Sequence, residues 1–267
     1  EAIVELIRGY THEAGVRELE RETAAVCRKA AMDIGSGKAR VRVGKQKLAA
    51  YLGAPKYTHG AIDAINEIGL ANGLAWTSFG GETLQIEVQI VPGSGQVILT
   101  GKLGDVMQES AKAALTFIKA HAEEFGITLP LDKKDIHLHV PEGAVPKDGP
   151  SAGITIMTAM LSALSGIPAR ADTAMTGEIT LRGRVLEIGG LREKLLAAYR
   201  AGIKRVLIPK ANEKDLSDVP DEVKANMEII GVASAFDVIP LALEHTPQKT
   251  ADAFIPQHAH SGAAAAQ

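Results

Sequence analysis

Leu84, Ile86, Val88 and Ile90 alternate with polar residues, the period of a strand with one buried face. The turn Pro92-Gly93-Ser94-Gly95 then leads into QVILTG, which predicts a hairpin. Upstream the period is helical. Ile3, Ile7 and Tyr10 recur at helical spacing, and after a break at Gly15 a second helix is predicted from Val16 to about Ile34. Its apolar face would carry Val16, Leu19, Thr23 and Cys27. A short strand at Val41–Val43 and a brief helix ending near Gly53 follow, with Pro55 as the stop. Residues 54–72 have no clear pattern and read as a connector.

Downstream, the pattern predicts a long helix over 104–125 and a strand over 136–140. A helix of small and apolar residues follows over 151–165. Ala174–Leu181 and Arg184–Ile188 read as a hairpin around Arg182-Gly183. Then come a helix over 191–201, a strand over 205–209, a short helix near 213–218, a strand over 228–232 and a helix over 235–243. Helices and strands interleave with hairpins among them, which predicts an α/β (α+β) sandwich on a mixed sheet. The predicted division is a helical segment over 1–55, a linker over 56–72, the main domain over 73–245 and a mobile tail over 246–267. The abrupt amphipathic start reads as a piece of a longer protein.

Of the 267 residues, 46% are hydrophobic but only 4% aromatic, so the core rests on aliphatic side chains. The net charge of −3 argues against a dominant nucleic-acid or acidic-membrane surface. No run of about 18 apolar residues marks a membrane span, and no signal peptide is visible. The single cysteine, Cys27, excludes an internal disulfide and a cysteine-based zinc site. It reads as a small buried residue in a protein of a reducing compartment such as the cytoplasm. His258 and His260 read as solvated tail residues, and no metal site is expected.

The chemistry concentrates in PEGAVPKDGPSAG, residues 141–153. Gly149 permits a sharp turn, Pro150 suits a first helical turn, and Ser151 falls at the helix N-terminus. The N–H groups of Ser151 and Ala152 would be free to hold an oxyanion there, where the helix dipole helps. A serine nucleophile needs a base. His137 and His139 share one strand face, and Asp148 lies three residues before Ser151, so a Ser–His–Asp triad is one arrangement. The rival is Lys194. On a helical wheel it lies about 60° from Leu191 and about 20–40° from Ala198 and Ala201, at the edge of the apolar stripe. Burial there would lower its pKa and let a neutral amine take the serine proton; the bland alternative is a lysine reaching solvent along its stem. Thr176 in MTGEITLRG could orient that amine. The lone Trp76 reads equally as groove-lining or core.

PKDGPSAG resembles the nucleophile motif of the Lon family of ATP-dependent proteases, in its bacterial soluble subtype. MTGEITLRGRVLEIGGLREKLLAAYRAG resembles that family's lysine segment, and GKLGDVMQESAKAAL and GLAWTSFGG are similar to further family signatures. The resemblance runs from residue 1 to about 245. It implies a small α/β proteolytic domain, a Ser151–Lys194 dyad with Thr176 as the lysine's partner, and a shape-supporting role for His137, His139 and Asp148. It also implies a homohexameric ring acting on unfolded or damaged proteins. The segment YTHEAGVRELERETAAVCRKAA resembles the end of the small helical domain of the family's AAA+ module, with Arg17 as its ATP-sensing arginine. ATP and Mg would serve the full-length protein. This chain has no G-x-x-x-x-G-K-[ST] loop, and no cofactor is expected in it. The alternative is a non-catalytic scaffold for assembly or DNA contact, against which both dyad residues speak; DNA binding is not indicated.

Overall fold

The computed structural model describes residues 1–13, 15–57, 65–77, 80–141 and 147–248. His258, His260 and the segment 142–146 lie outside the described residues, as do parts of the connector and of GLAWTSFGG. No described helix is long and apolar enough to cross a membrane.

Three helices open the chain: α1 (Ala2–Tyr10), α2 (Arg17–Gly35) and α3 (Lys45–Leu52). They bury Leu6, Tyr10, Val26, Leu48 and Tyr51 in a cluster of their own. The buried faces differ from the predicted ones. Ile3, Ile7 and Val16 are exposed, and so is Cys27. The buried stripe of α2 is Glu22 and Val26, with Leu19 and Ala30 partly covered. The period was right and the phase was wrong, because a charged residue sits in the stripe. Glu22 is tolerated there because Lys56 Nζ, arriving from beyond α3, lies 3.1 Å from its carboxylate, and buried charges persist when paired. Val41–Val43 is not a strand; both valines pack partly against the three-helix cluster. The start of α2 is capped from upstream, where the Glu13 carboxylate accepts the N–H groups of Glu18 and Leu19 at 2.8 and 2.9 Å.

The main domain is built on β1 (Leu70–Thr77), β2 (Gly80–Pro92), β3 (Val97–Thr100), β4 (Lys134–His139), β5 (Thr173–Met175), β8 (Arg205–Pro209) and β9 (Glu228–Val232). They form one seven-stranded mixed sheet in the order β3-β4-β2-β1-β5-β8-β9. β1 pairs antiparallel with β2 and parallel with β5. It begins at Leu70, inside the stretch read as a connector. Ala71, Asn72, Gly73 and Leu74 are all buried, so this central strand has no alternation to read. β2 and β3 do not form the predicted hairpin. β4 inserts between them, antiparallel to β2 and parallel to β3. The turn itself is real, but it wraps a carboxylate from β4: Asp135 Oδ1 accepts the N–H groups of Ser94 and Gln96, each at 2.8 Å. These bonds hold the Asp135 carboxyl below its ordinary pKa.

Helices cover the sheet on both faces. α4 (Asp105–Ala120), α5 (Gly153–Ser165) and α8 (Ala235–Ala242) share one large cluster with Ile86, Leu138 and Met175. α4 stops at Ala120, short of the predicted end, and the chain turns through to Gly126. α5 is buried nearly all round, as a helix apolar on every side must be. α6 (Leu191–Arg200) and α7 (Asp221–Asn226, which the sequence pattern did not predict) pack on the other face with Leu74, Ala174, Val206 and Ile208. A two-stranded ribbon, β6 (Glu178–Ile179) with β7 (Val185–Leu186), closes one side; it is the Arg182-Gly183 hairpin without Thr173–Met175, which leave for the main sheet.

The face assignment on β3 and β4 is testable. Leu138 is fully buried, whereas Ile98 on the opposite face is 38% exposed. Leu138→Ala should cost about 2–5 kcal/mol and Ile98→Ala less than about 1 kcal/mol, read from urea unfolding midpoints. Equal losses would mean the faces are wrongly assigned.

Candidate active site

The serine turn sits where two layers meet. Gly149 takes φ +139°, a value that favours glycine. Pro150, Ser151 and Ala152 then form a single 3-10 turn, and α5 proper starts at Gly153. Ser151 is thus one turn upstream of the α-helix it was expected to begin. The turn carries its own backbone bond, from the Gly153 N–H to the Pro150 carbonyl.

That turn is laced to the segment leaving β5. Gly177 N–H donates to the Ser151 carbonyl at 2.8 Å, and Ile154 N–H donates to the Gly177 carbonyl at 3.1 Å. Thr176, fully buried, donates its hydroxyl to the same Ser151 carbonyl at 3.3 Å. It also accepts a hydrogen bond from Lys194 Nζ at 3.0 Å. Thr176 therefore joins the serine turn on one face of the sheet to the lysine helix on the other.

Lys194 is 2% exposed, so its amine does not reach solvent along its stem. The first turns of α6 bury it beside Leu191 and Leu195. Burial alone lowers its pKa from 10.5 to about 8, because the ammonium form loses its water. A neutral amine that donates one N–H to Thr176 keeps its lone pair free for a proton.

Close backbone approaches hold α6 in place, and the sequence pattern showed none of them. A Cβ on Gly81 would fall 1.9 Å from the Glu193 carbonyl oxygen, so α6 lies against the start of β2 at a distance that only glycine permits. Arg200 Nη2 donates to the Gly81 carbonyl at 2.8 Å. Gly190, the residue before α6, takes φ +69° and lies under Trp76, whose Cγ would be 2.9 Å from an added Cβ. Trp76 is 61% exposed and so is not a core residue. The signal available beforehand was the glycine content of FGGE and IGGL, which does not say what approaches.

The other candidates lie elsewhere. Thr100 Oγ1 is 3.0 Å from His137 Nε2 and 2.7 Å from His139 Nδ1, on β3 and β4. Asp148 Oδ1 accepts the N–H groups of Met107 and Gly149 at 3.1 and 3.0 Å, tying the start of α4 to the serine loop. The described residues therefore assemble no Ser–His–Asp triad. Arg17 is exposed at the first position of α2. No cluster of three or more metal-ligating side chains occurs among the described residues.

The family model for the Lon protease C-terminal proteolytic domain matches residues 42–245. The model for the Lon protease AAA+ ATPase lid domain matches residues 1–43. The chain belongs to the Lon protease family. It is 57% identical over 246 residues to the Lon protease of Nitratidesulfovibrio vulgaris, covering 91% of this chain and 30% of that protein. It is 56% identical over 247 residues to the Lon protease of Azospirillum brasilense, covering 91% and 30%. To the Lon protease of Brucella suis it is 51% identical over 275 residues, covering 100% and 34%. The chain thus spans about a third of the length of these Lon relatives. α3 falls within the span of the Lon proteolytic model yet packs with the two lid helices.

A desolvated lysine destabilises the fold that contains it. With a folded pKa of about 8 against 10.5, the unfolded chain binds the extra proton between those values. The penalty is full below about pH 8 and relieved as pH rises toward 10.5, and it amounts to about 3 kcal/mol. Lys194→Met should therefore raise stability at neutral pH by about 1–3 kcal/mol. It should also remove the wild-type gain in stability between about pH 7 and pH 10. Unfolding free energies measured across that range check both; a destabilised variant would contradict the burial argument.

Proposed function

We propose that this chain is a serine endopeptidase domain in which Ser151 is the nucleophile and Lys194 the general base. The observation that carries this reading is the buried Lys194 amine, hydrogen-bonded to Thr176, which in turn bonds the Ser151 carbonyl. The Ser151 hydroxyl attacks the peptide carbonyl as neutral Lys194 takes its proton. The N–H groups of Ser151 and Ala152 hold the oxyanion. Protonated Lys194 gives its proton to the leaving amine, and water repeats the sequence on the acyl-enzyme. Thr176 fixes the amine by accepting one of its N–H groups. Asp148, His137 and His139 keep the shape of the surrounding loops and strands. In the whole protein, the lid helices 1–55 would connect this domain, through the linker, to an ATPase that uses ATP and Mg. Arg17 would then sense the nucleotide. The assembly we infer is a cytoplasmic homohexamer that degrades unfolded or damaged proteins.

Hydrolysis of a fluorogenic peptide tests the dyad. Ser151→Ala and Lys194→Ala should each lower kcat by at least about 10³-fold with folding intact. Because the base must be neutral, activity should climb as pH passes through about 8 and level off above it. A flat profile from about pH 6 to about pH 9 would count against a lysine base. Substantial activity in Lys194→Ala together with a dead His139→Ala would hand the role to a histidine triad.

A further inference from the structure

The approach to α6 is weak in itself. Ile188 is followed by Gly189 and Gly190, and α6 starts at Leu191. Two glycines give the lead-in little stiffness. Yet Lys194 lies one helical turn past Gly190, with its N–H bonded to the Gly190 carbonyl at 3.1 Å. Any drift of this lead-in moves the amine.

One side chain takes both backbone groups of Ile188. Asn212 Oδ1 accepts the Ile188 N–H at 3.0 Å, and Asn212 Nδ2 donates to the Ile188 carbonyl at 2.9 Å. A single amide thus does what a neighbouring strand would do, where no strand is present. Asn212 is 1% exposed. Its Nδ2 also donates to Asp215 Oδ2 at 2.6 Å, so its orientation is set from the far side. Asn212 lies three residues past the end of β8, in the 3-10 segment Lys210–Asp218. It is therefore carried directly on the central sheet. Lys214 Nζ reaches Glu187 at 3.0 Å across the same gap, but that pair is exposed and holds little.

We propose that Asn212 is a positioning residue for the peptidase reaction: by clamping Ile188 to the β8 side of the sheet, it fixes the start of α6 and so the place of the Lys194 amine against Thr176. This rests on the reading of Lys194 as the base. Among the described residues, the Asn212 side chain bonds Ile188 and Asp215, not Ser151 or Lys194. It acts through the backbone of 188–194, and its loss would let α6 loosen at its first turn and admit water to the amine. The lysine would then recover its ordinary preference for the charged form.

The test is peptide hydrolysis by the full chain as Asn212→Ala, across a pH series. The expected result is a kcat lower by roughly tenfold to a hundredfold with KM little changed, and a pH midpoint moved to more alkaline values. A second variant guards against simple misfolding. Asn212→Gln keeps a neutral amide with an acceptor for the Ile188 N–H and a donor for its carbonyl, and should restore part of the lost kcat and move the midpoint back. If Asn212→Ala keeps the wild-type pH midpoint, and activity falls only in proportion to folded protein measured by circular dichroism, the positioning role is overturned. The controls separate this from the dyad: inactive Ser151→Ala and Lys194→Ala beside an unshifted Asn212→Ala sinks the positioning role alone. Activity surviving in Lys194→Ala sinks the dyad.

Discussion

Taking an amine out of water is expensive, and the rest of this domain is arranged so that Lys194 has no alternative. Among the described residues the buried amine has one hydrogen-bond partner, the Thr176 hydroxyl. Packing seats the helix that carries it: Leu191, Leu195 and Ala198 of α6 lie against the strands, and Gly81 lies beneath the Glu193 carbonyl. If the helix moved outward, the lysine would regain water and its charge. The basicity of the site is therefore a property of how tightly α6 is seated. Fold stability and chemistry are opposed at this position, since the contacts that lower the lysine pKa are the ones the domain must supply from elsewhere.

The sheet topology explains how the serine turn and the lysine helix come to share Thr176. The serine turn feeds α5, which belongs to the layer packed with Ile86 and Leu138. The lysine belongs to α6, in the opposite layer. Two layers separated by a sheet touch only at its ends. β5 runs parallel to both of its neighbours, β1 and β8, and the chain leaves its carboxyl end at Thr176. Open α/β sheets place their sites at that end. Thr176 is held to β8 by its own N–H, bonded to the Leu207 carbonyl at 3.1 Å, and its hydroxyl faces both layers.

Much of this was readable in the residues, and the failures have physical causes. β8 and β9 coincide with their predicted spans because they are short β-branched runs with sharp ends. The helical wheel placed Lys194 at the apolar stripe, and it is buried there. β1 escaped because a central strand is covered on both faces and shows no alternation. The β2–β3 hairpin was inferred from turn chemistry, which is local. Pairing was decided by β4, a strand some forty residues later, whose Asp135 organises the turn. The phase of α2 differs from the apolar pattern because the buried stripe includes a charged residue, Glu22, which Lys56 pairs with. Joining Ser151 to Lys194 lay beyond any local pattern: it depends on a hydroxyl and two backbone bonds at 176–177, whose partners lie 25 residues upstream and 18 downstream. Only resemblance to a family carried that step.

The choice of polar groups around α6 follows from the same constraint. Elsewhere the chain holds loops with carboxylates. Glu13 caps α2, Asp135 gathers the Ser94 turn, and Asp148 ties the serine loop to α4. Carboxylates suit this work because they accept several N–H groups at once and bind them strongly; Glu13 and Asp135 are themselves held below the ordinary carboxylate range by it. Beside Lys194 the same device would fail. An anion within a few ångströms stabilises the ammonium and raises its pKa, which would cancel the effect of burial. The groups that hold the lysine segment are neutral instead: the Thr176 hydroxyl, the Asn212 amide, and the backbone carbonyls of Gly81 and Gly190. Burial is accordingly the one cause behind the low pKa of Lys194. A neutral scaffold around a desolvated amine is what lets packing alone set its basicity.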